Sequence, residues 1–244
     1  MKILILGGTG EARALAERLV ALGHEVVTSL AGRTDAPLPI AGALRVGGFG
    51  GAAGLAAYLR AGGFDRLVDA THPYAGLISA NAVAAAQEAG VPLVRLTRPG
   101  WLEPEEAGWL HVPDIPAAAS RLPAGAIALI TTGHVGLDAF LARSDCSLVI
   151  RLIEPPAESL PPHARLILDR PPHGLEEESA LFAREGITHL VTKNSGGPQT
   201  AAKLEAAALN STTVIMVDRP AYGPAADAET IEDAILALHL EGSG

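Results

Sequence analysis

Four short segments of this 244-residue chain carry the residue types that small-molecule chemistry needs. The first, Gly7-Gly8-Thr9-Gly10-Glu11-Ala12, follows the apolar run Lys2–Leu6 and opens an Ala/Leu-rich stretch. In that setting a glycine turn lets backbone amides and a helix N-terminus face a phosphate. The full dinucleotide fingerprint is not met. The third glycine position of either frame falls on Ala12 or Arg13, and Thr9 takes the middle glycine of the first. A tight strand-to-helix turn without a ligand is the competing reading. The second segment, Asp69-Ala70-Thr71-His72-Pro73-Tyr74-Ala75, also follows a short apolar run, at the carboxyl edge where open α/β sheets bind ligands. Here His72 could act as a general acid or hold a turn before Pro73, and Tyr74 could cover a flat ring or simply pack. The third and fourth, Thr131-Thr132-Gly133-His134 and Thr192-Lys193-Asn194-Ser195-Gly196-Gly197, present hydroxyls and amides before helical stretches. The fourth adds one of only three lysines (Lys2, Lys193, Lys203), a combination suited to a carboxylate or phosphate. Arg151, which precedes a loop with four prolines, could join it, as could Arg95 and Arg98; each could equally pair with a nearby acid.

The end of the second apolar run separates the two nicotinamide cofactors. An NAD site usually places Asp or Glu roughly 20 residues past the glycine turn, on the ribose hydroxyls. Here the chain reads Ser29-Leu30-Ala31-Gly32-Arg33-Thr34, with no acid before Asp35. Arg33 and the hydroxyls of Ser29 and Thr34 suit a 2′-phosphate, so NADPH is expected over NADH, the alternative being that Arg33 is a solvated loop charge. A Tyr-x-x-x-Lys mechanism is excluded, because Gly62, Ile78 and Ala226 stand four residues beyond Tyr58, Tyr74 and Tyr222.

The elements that must position these segments follow from pattern. Short β-branched runs alternate with longer segments of helical period almost from end to end, which predicts an α/β fold of mainly parallel sheet covered by helices. Within Glu11–Leu22, residues Ala12, Leu15, Ala16, Leu19 and Val20 form one apolar stripe that Gly23 is placed to stop. The stretch Pro99–Pro116, with four prolines and both tryptophans, reads as a linker. The predicted organisation is therefore two doubly wound halves, 1–98 on the cofactor side and 117–244 on the substrate side, joined by 99–116.

Composition narrows the function classes. A net charge of −9 without any Lys/Arg run argues against nucleic-acid binding. One cysteine, Cys146, excludes an internal disulfide and a cysteine metal cluster, so redox chemistry calls for an organic cofactor. No apolar run approaches the roughly 18–20 residues of a membrane span, and the opening Met1–Leu6 is too short for a secretory signal, so a cytoplasmic protein is expected.

Taken in order, Gly7–Ala12, Asp69–Ala75, Thr131–Gly133 and Thr192–Gly197 resemble the precorrin-6A reductase family of cobalamin biosynthesis, over nearly the whole chain. The resemblance implies two Rossmann-like domains and an NADPH-dependent reduction of one carbon–carbon double bond of the precorrin-6A macrocycle, giving precorrin-6B. No metal ligand set comes with it, and handover of substrate to other enzymes of the pathway is the protein contact it suggests. It places Gly7–Ala12 and Thr71, His72, Pro73 and Tyr74 along the cofactor. Thr131, Thr132, Gly133 and Lys193–Gly197 face the tetrapyrrole, with Lys193, Tyr74 and His72 as the residues nearest the chemistry. Reduction of the cobalt-bearing ring, or a regulator that binds a nucleotide without catalysis, are the alternatives.

Overall fold

The computed structural model describes residues 1–32 and 39–239. Strand β1 (Lys2–Leu6) is followed by α1 (Gly10–Ala21), β2 (Glu25–Leu30), β3 (Ala43–Val46), α2 (Ala52–Gly62), β4 (Arg66–Asp69), α3 (Gly76–Ala89) and β5 (Leu93–Leu96). Next come β6 (Leu110–Val112), α4 (Ile115–Arg121), β7 (Ile127–Ile130), α5 (Leu137–Leu141), β8 (Ser147–Leu152), β9 (Ala164–Leu168) and α6 (Leu175–Glu185). The chain ends with β10 (His189–Lys193), a 3-10 turn, α7 (Ala202–Leu209), β11 (Thr213–Val217), β12 (Ala226–Ala228) and α8 (Ile231–His239).

Local chemistry explains the first of these elements. Thr9 caps α1, its hydroxyl accepting from Ala12 N at 3.1 Å, and the helix buries Ala12, Leu15, Ala16 and Leu19 on one face. Along β1, Ile3 and Ile5 join Leu15, Leu19, Val68, Val94 and Leu238 in one cluster, while Leu4 and Leu6 join Leu55, Leu59 and Leu67 in another. Both faces of the sheet are therefore covered, as a parallel sheet requires.

Among the described residues two sheets form, each of six strands and parallel throughout. The first has the order β12-β5-β4-β1-β2-β3 and the second β6-β11-β10-β7-β8-β9. Counted from β1 in the first sheet and from β7 in the second, both repeat the Rossmann-like order 3-2-1-4-5. The sixth place is filled crosswise. Strand β6 follows β5 in the chain yet pairs with β11, and β12 follows β11 yet pairs with β5.

This exchange changes the expected domain limits. One compact unit holds Met1–Pro99 together with the chain from Pro220 onward, and the other is Gly100–Arg219. The predicted linker 99–116 contains β6, and the predicted second domain 117–244 gives its last segment back to the first unit. Each exchanged strand has only three residues, Leu-His-Val and Ala-Asp-Ala, too short to show a period. No helix among the described residues is long and apolar enough to cross a membrane.

Candidate active site

In the first unit, β1 is flanked by β2 and β4, so the carboxyl ends of β1 and β4 bound the crevice where the strand order reverses. Gly7 is needed for packing, since a Cβ there would stand 2.8 Å from Thr28 Cγ2. Gly8, with φ of +118°, and Gly10 have the opposite surroundings: a Cβ on either would meet nothing within 4 Å. They form an open cradle at the N-terminus of α1, where the amides of Gly10 and Glu11 have no acceptor within the helix. The Thr9 hydroxyl donates to Ala70 O at 2.8 Å and so ties the turn to the end of β4. Glu11 would repel an anion here, but Arg98 holds its carboxylate at 3.0 and 3.1 Å. These features fit the pyrophosphate of a nicotinamide dinucleotide.

Thr71 and Pro73 of the Asp69–Ala75 loop stand beside Thr9, Glu11 and Arg98. Asp69 is buried, and its Oδ1 accepts from the Thr71 hydroxyl at 2.6 Å and the Thr71 amide at 3.2 Å. Beneath it lies buried Arg95, which bonds Asp227 Oδ1 at 3.0 Å and Gly223 O at 2.9 Å. Tyr222 donates to Pro73 O, so the returning segment that carries β12 also holds this loop. His72 is exposed, and its Nδ1 accepts from Tyr74 N at 3.2 Å, with the two rings 5.9 Å apart. Arg33, Thr34 and Asp35 lie outside the described residues.

The second unit repeats the arrangement with different chemistry. Lys193, at the end of β10, reaches across to Thr132 O beyond β7 at 2.5 Å. Burial pushes its ammonium below the usual lysine range. Thr131 is held to Val191 O by its amide and hydroxyl at 3.0 and 3.1 Å, whereas the Thr132 hydroxyl is buried with no hydrogen-bond partner among the described residues. Gly133, with φ of +82°, leaves open space beside it. The Lys193–Gly197 loop is braced from outside. Asn194 Oδ1 accepts from Trp101 N at 2.7 Å and its Nδ2 donates to Trp101 O at 3.2 Å, while Trp101 Nε1 donates to Gly197 O at 2.9 Å. Arg219 donates to Asn194 O at 2.8 Å and to Ser195 O at 3.3 Å. The side-chain amide of Asn194 thus shapes the loop that carries Lys193, Ser195 and Gly196. Trp101 and Arg219 were not anticipated; the tryptophan in a proline-rich stretch beside Gly100 was the available signal.

Arg151 departs from expectation. Both of its terminal nitrogens are taken by Glu178, at 2.9 and 3.0 Å, in a pair with side-chain exposures of 8% and 0%. A guanidinium buried and satisfied by its own acid is not available to substrate. Arg95 and Arg98 are likewise bound to acids. Near the Arg151 pair lies buried Lys203, whose Nζ sits 5.2 Å from the Trp101 ring centroid. Burial first, and Arg151 second, push its ammonium down to about 7 from 10.5, with Glu178 opposing. Between those values the unfolded chain binds a proton that the folded one sheds, so stability rises with pH across this window. Below about 7 both states are protonated and the contribution is flat at its lowest. Unfolding in urea at pH 7 and pH 9.5 is expected to show this rise, and Lys203→Met is expected to remove an increment of a few kcal/mol from it. An unchanged slope in that variant would place the pH dependence elsewhere.

The family model described as precorrin-6x reductase CbiJ/CobK matches residues 2–239. The chain belongs to the precorrin-6x reductase family. It is 46% identical to the precorrin-6A reductase of Rhodococcus erythropolis over 99% of this chain and 98% of that one. The precorrin-6A reductase of Rhodobacter capsulatus is 44% identical over 93% and 90%. A solved structure named CobK precorrin-6A reductase superposes with a TM-score of 0.88 at 42% identity, covering 96% of this chain and 94% of that one. As a member of this reductase family, the chain is an oxidoreductase, and the open cradle at α1 is where its residues fit a nicotinamide cofactor.

Proposed function

We propose that this chain is a precorrin-6A reductase that uses NADPH to reduce one carbon–carbon double bond of the macrocycle, giving precorrin-6B. The open glycine cradle at α1, beside the Thr71 loop in a chain so similar to proteins named for that activity, carries the reading. The first unit holds the cofactor and the second the tetrapyrrole. A bound nicotinamide supplies the hydride. The residues of the chain do the rest. Gly8, Gly10 and the first amides of α1 take the pyrophosphate, and the Arg98–Glu11 pair removes the repulsion that a free carboxylate would exert there. Asp69 fixes Thr71, and through it the loop that carries His72 and Tyr74. Lys193 and the Thr132 hydroxyl hold an acid side chain of the substrate and draw electron density toward it, favouring hydride acceptance. The proton on the adjoining carbon comes from solvent or a nearby hydroxyl. Catalysis on this account is mainly alignment.

Anaerobic mixing of the protein with precorrin-6A and NADPH tests the reading, with the nicotinamide and macrocycle absorbances followed together. Coupled oxidation and bleaching are expected. NADPH binding without turnover would overturn it, and turnover only with the cobalt-bearing ring would reassign the substrate.

A further inference from the structure

At the carboxyl end of β2, where a sheet of this order reads the ribose of a dinucleotide, the described residues are Ser29, Leu30, Ala31 and Gly32, none of them an acid. The neighbouring strand β3 lies in register with Arg45 opposite Ser29. The Arg45 guanidinium turns back over that end. Its Nη1 donates to Ser29 Oγ at 3.2 Å and to Gly47 O, and its Nη2 donates to Gly48 O at 2.8 Å. Its Cζ stands 3.8 Å from the centroid of the Phe49 ring and 5.1 Å from that of Tyr58. A planar cation is thereby fixed at the strand end, half-exposed, by two aromatic faces and three neutral oxygens.

Its charge has no counter-ion among the described residues. Arg18, Arg60, Arg95 and Arg98 of the same unit each sit on a carboxylate, whereas Arg45, like Arg13 and Arg66, contacts none among those residues. The Nε–H and the second Nη2–H also have no acceptor among those residues, which leaves donors for a further anion. A guanidinium with two donors to spare matches a phosphate monoester, and a ribose at the end of β2 would carry one at its 2′ position.

We propose that Arg45, with the Ser29 hydroxyl beside it, receives the 2′-phosphate of NADPH and sets the selectivity over NADH. The proposal rests on the NADPH reading above and names the residue that enforces it. A merely structural Arg45 would tie down the Gly47–Phe49 turn, and its loss would weaken both cofactors alike. The test is the dissociation constant of NADPH and of NADH, read by nicotinamide fluorescence on the full chain, for the wild type, Arg45→Gln and Arg45→Lys. The wild type is expected to prefer NADPH. Arg45→Gln is expected to raise the Kd for NADPH about tenfold or more, on the scale of a charge-assisted hydrogen bond, and that for NADH less than about twofold. Arg45→Lys keeps the charge without the fork and is expected to fall between; it carries the test alone if the glutamine variant does not fold. Equal changes for both cofactors, or none, would overturn the assignment. A wild type without preference would overturn it too, and would be seen before any variant is made, marking the NADPH reading itself as the failure.

Discussion

Lys193→Ala is expected to raise the apparent KM for the tetrapyrrole about 30- to 150-fold and to leave NADPH affinity within about twofold. The size follows from the bond at stake: a hydrogen bond between charged groups contributes about 1.5–3 kcal/mol, and a half-buried site lies toward the upper end. The ammonium stands at the end of β10, anchored on Thr132 O at 2.5 Å, with the buried Thr132 hydroxyl beside it. A substrate carboxylate arriving there meets a charge that burial has already made costly to keep, so the pair gains from neutralisation. The asymmetry between KM and cofactor affinity is the informative part. The glycine cradle belongs to a different sheet from Lys193, so a loss confined to substrate identifies Lys193 as a substrate ligand. A matching fall in kcat would add that the ammonium acts on charge developing in the transition state. Steady-state kinetics unaltered in the variant would remove Lys193 from the site, and equal damage to both ligands would make its bond to Thr132 a matter of folding.

Why the segments around Lys193 and Gly8 were legible in sequence, and others were not, comes down to the range of the interactions. A buried parallel strand such as Lys2–Leu6 or Thr213–Val217 is a continuous apolar run, and the polar residues just after it mark the carboxyl edge. Strand and site segment are then read together from neighbours in the chain. The exchanged strands escape this logic. Nothing in Leu110–Val112 says that its partner is Ile215–Val217, and Ala226–Ala228 has no β-branched residue at all. Arg151 shows the same limit at a site. Its position at the end of β8 suits a ligand, but its fate is decided by Glu178, 27 residues on, which α6 brings under it. Arg45 was hidden for a third reason. It is a lone cation inside a short strand, and only the register with Ser29 puts it at the ribose end.

Glu178→Gln is expected to cost about 3–5 kcal/mol of stability, a sizeable part of the roughly 5–15 kcal/mol that holds a typical domain. The residue is buried and carries both terminal nitrogens of Arg151. Glutamine keeps the volume but removes the charge, and its amide nitrogen then confronts one guanidinium N–H. With Glu178 gone, nothing opposes burial and Arg151 at Lys203, and its ammonium is expected to be pushed below about 7. Urea unfolding of the variant measures the loss, and a change within about 0.5 kcal/mol would mean that water or a rearranged neighbour takes the place of the carboxylate. A paired replacement separates charge from packing. Arg151→Met with Glu178→Leu removes both ions and is expected to restore most of the stability, because well-packed apolar residues often replace a buried ion pair at little cost. Lys203 links this pair to the site. Its Nζ lies by the Trp101 ring, and Trp101 in turn holds Asn194 and Gly197, so Glu178→Gln should raise substrate KM even under conditions where the variant is fully folded. The paired replacement should bring KM back along with stability only if the loop responds to the charge beneath it.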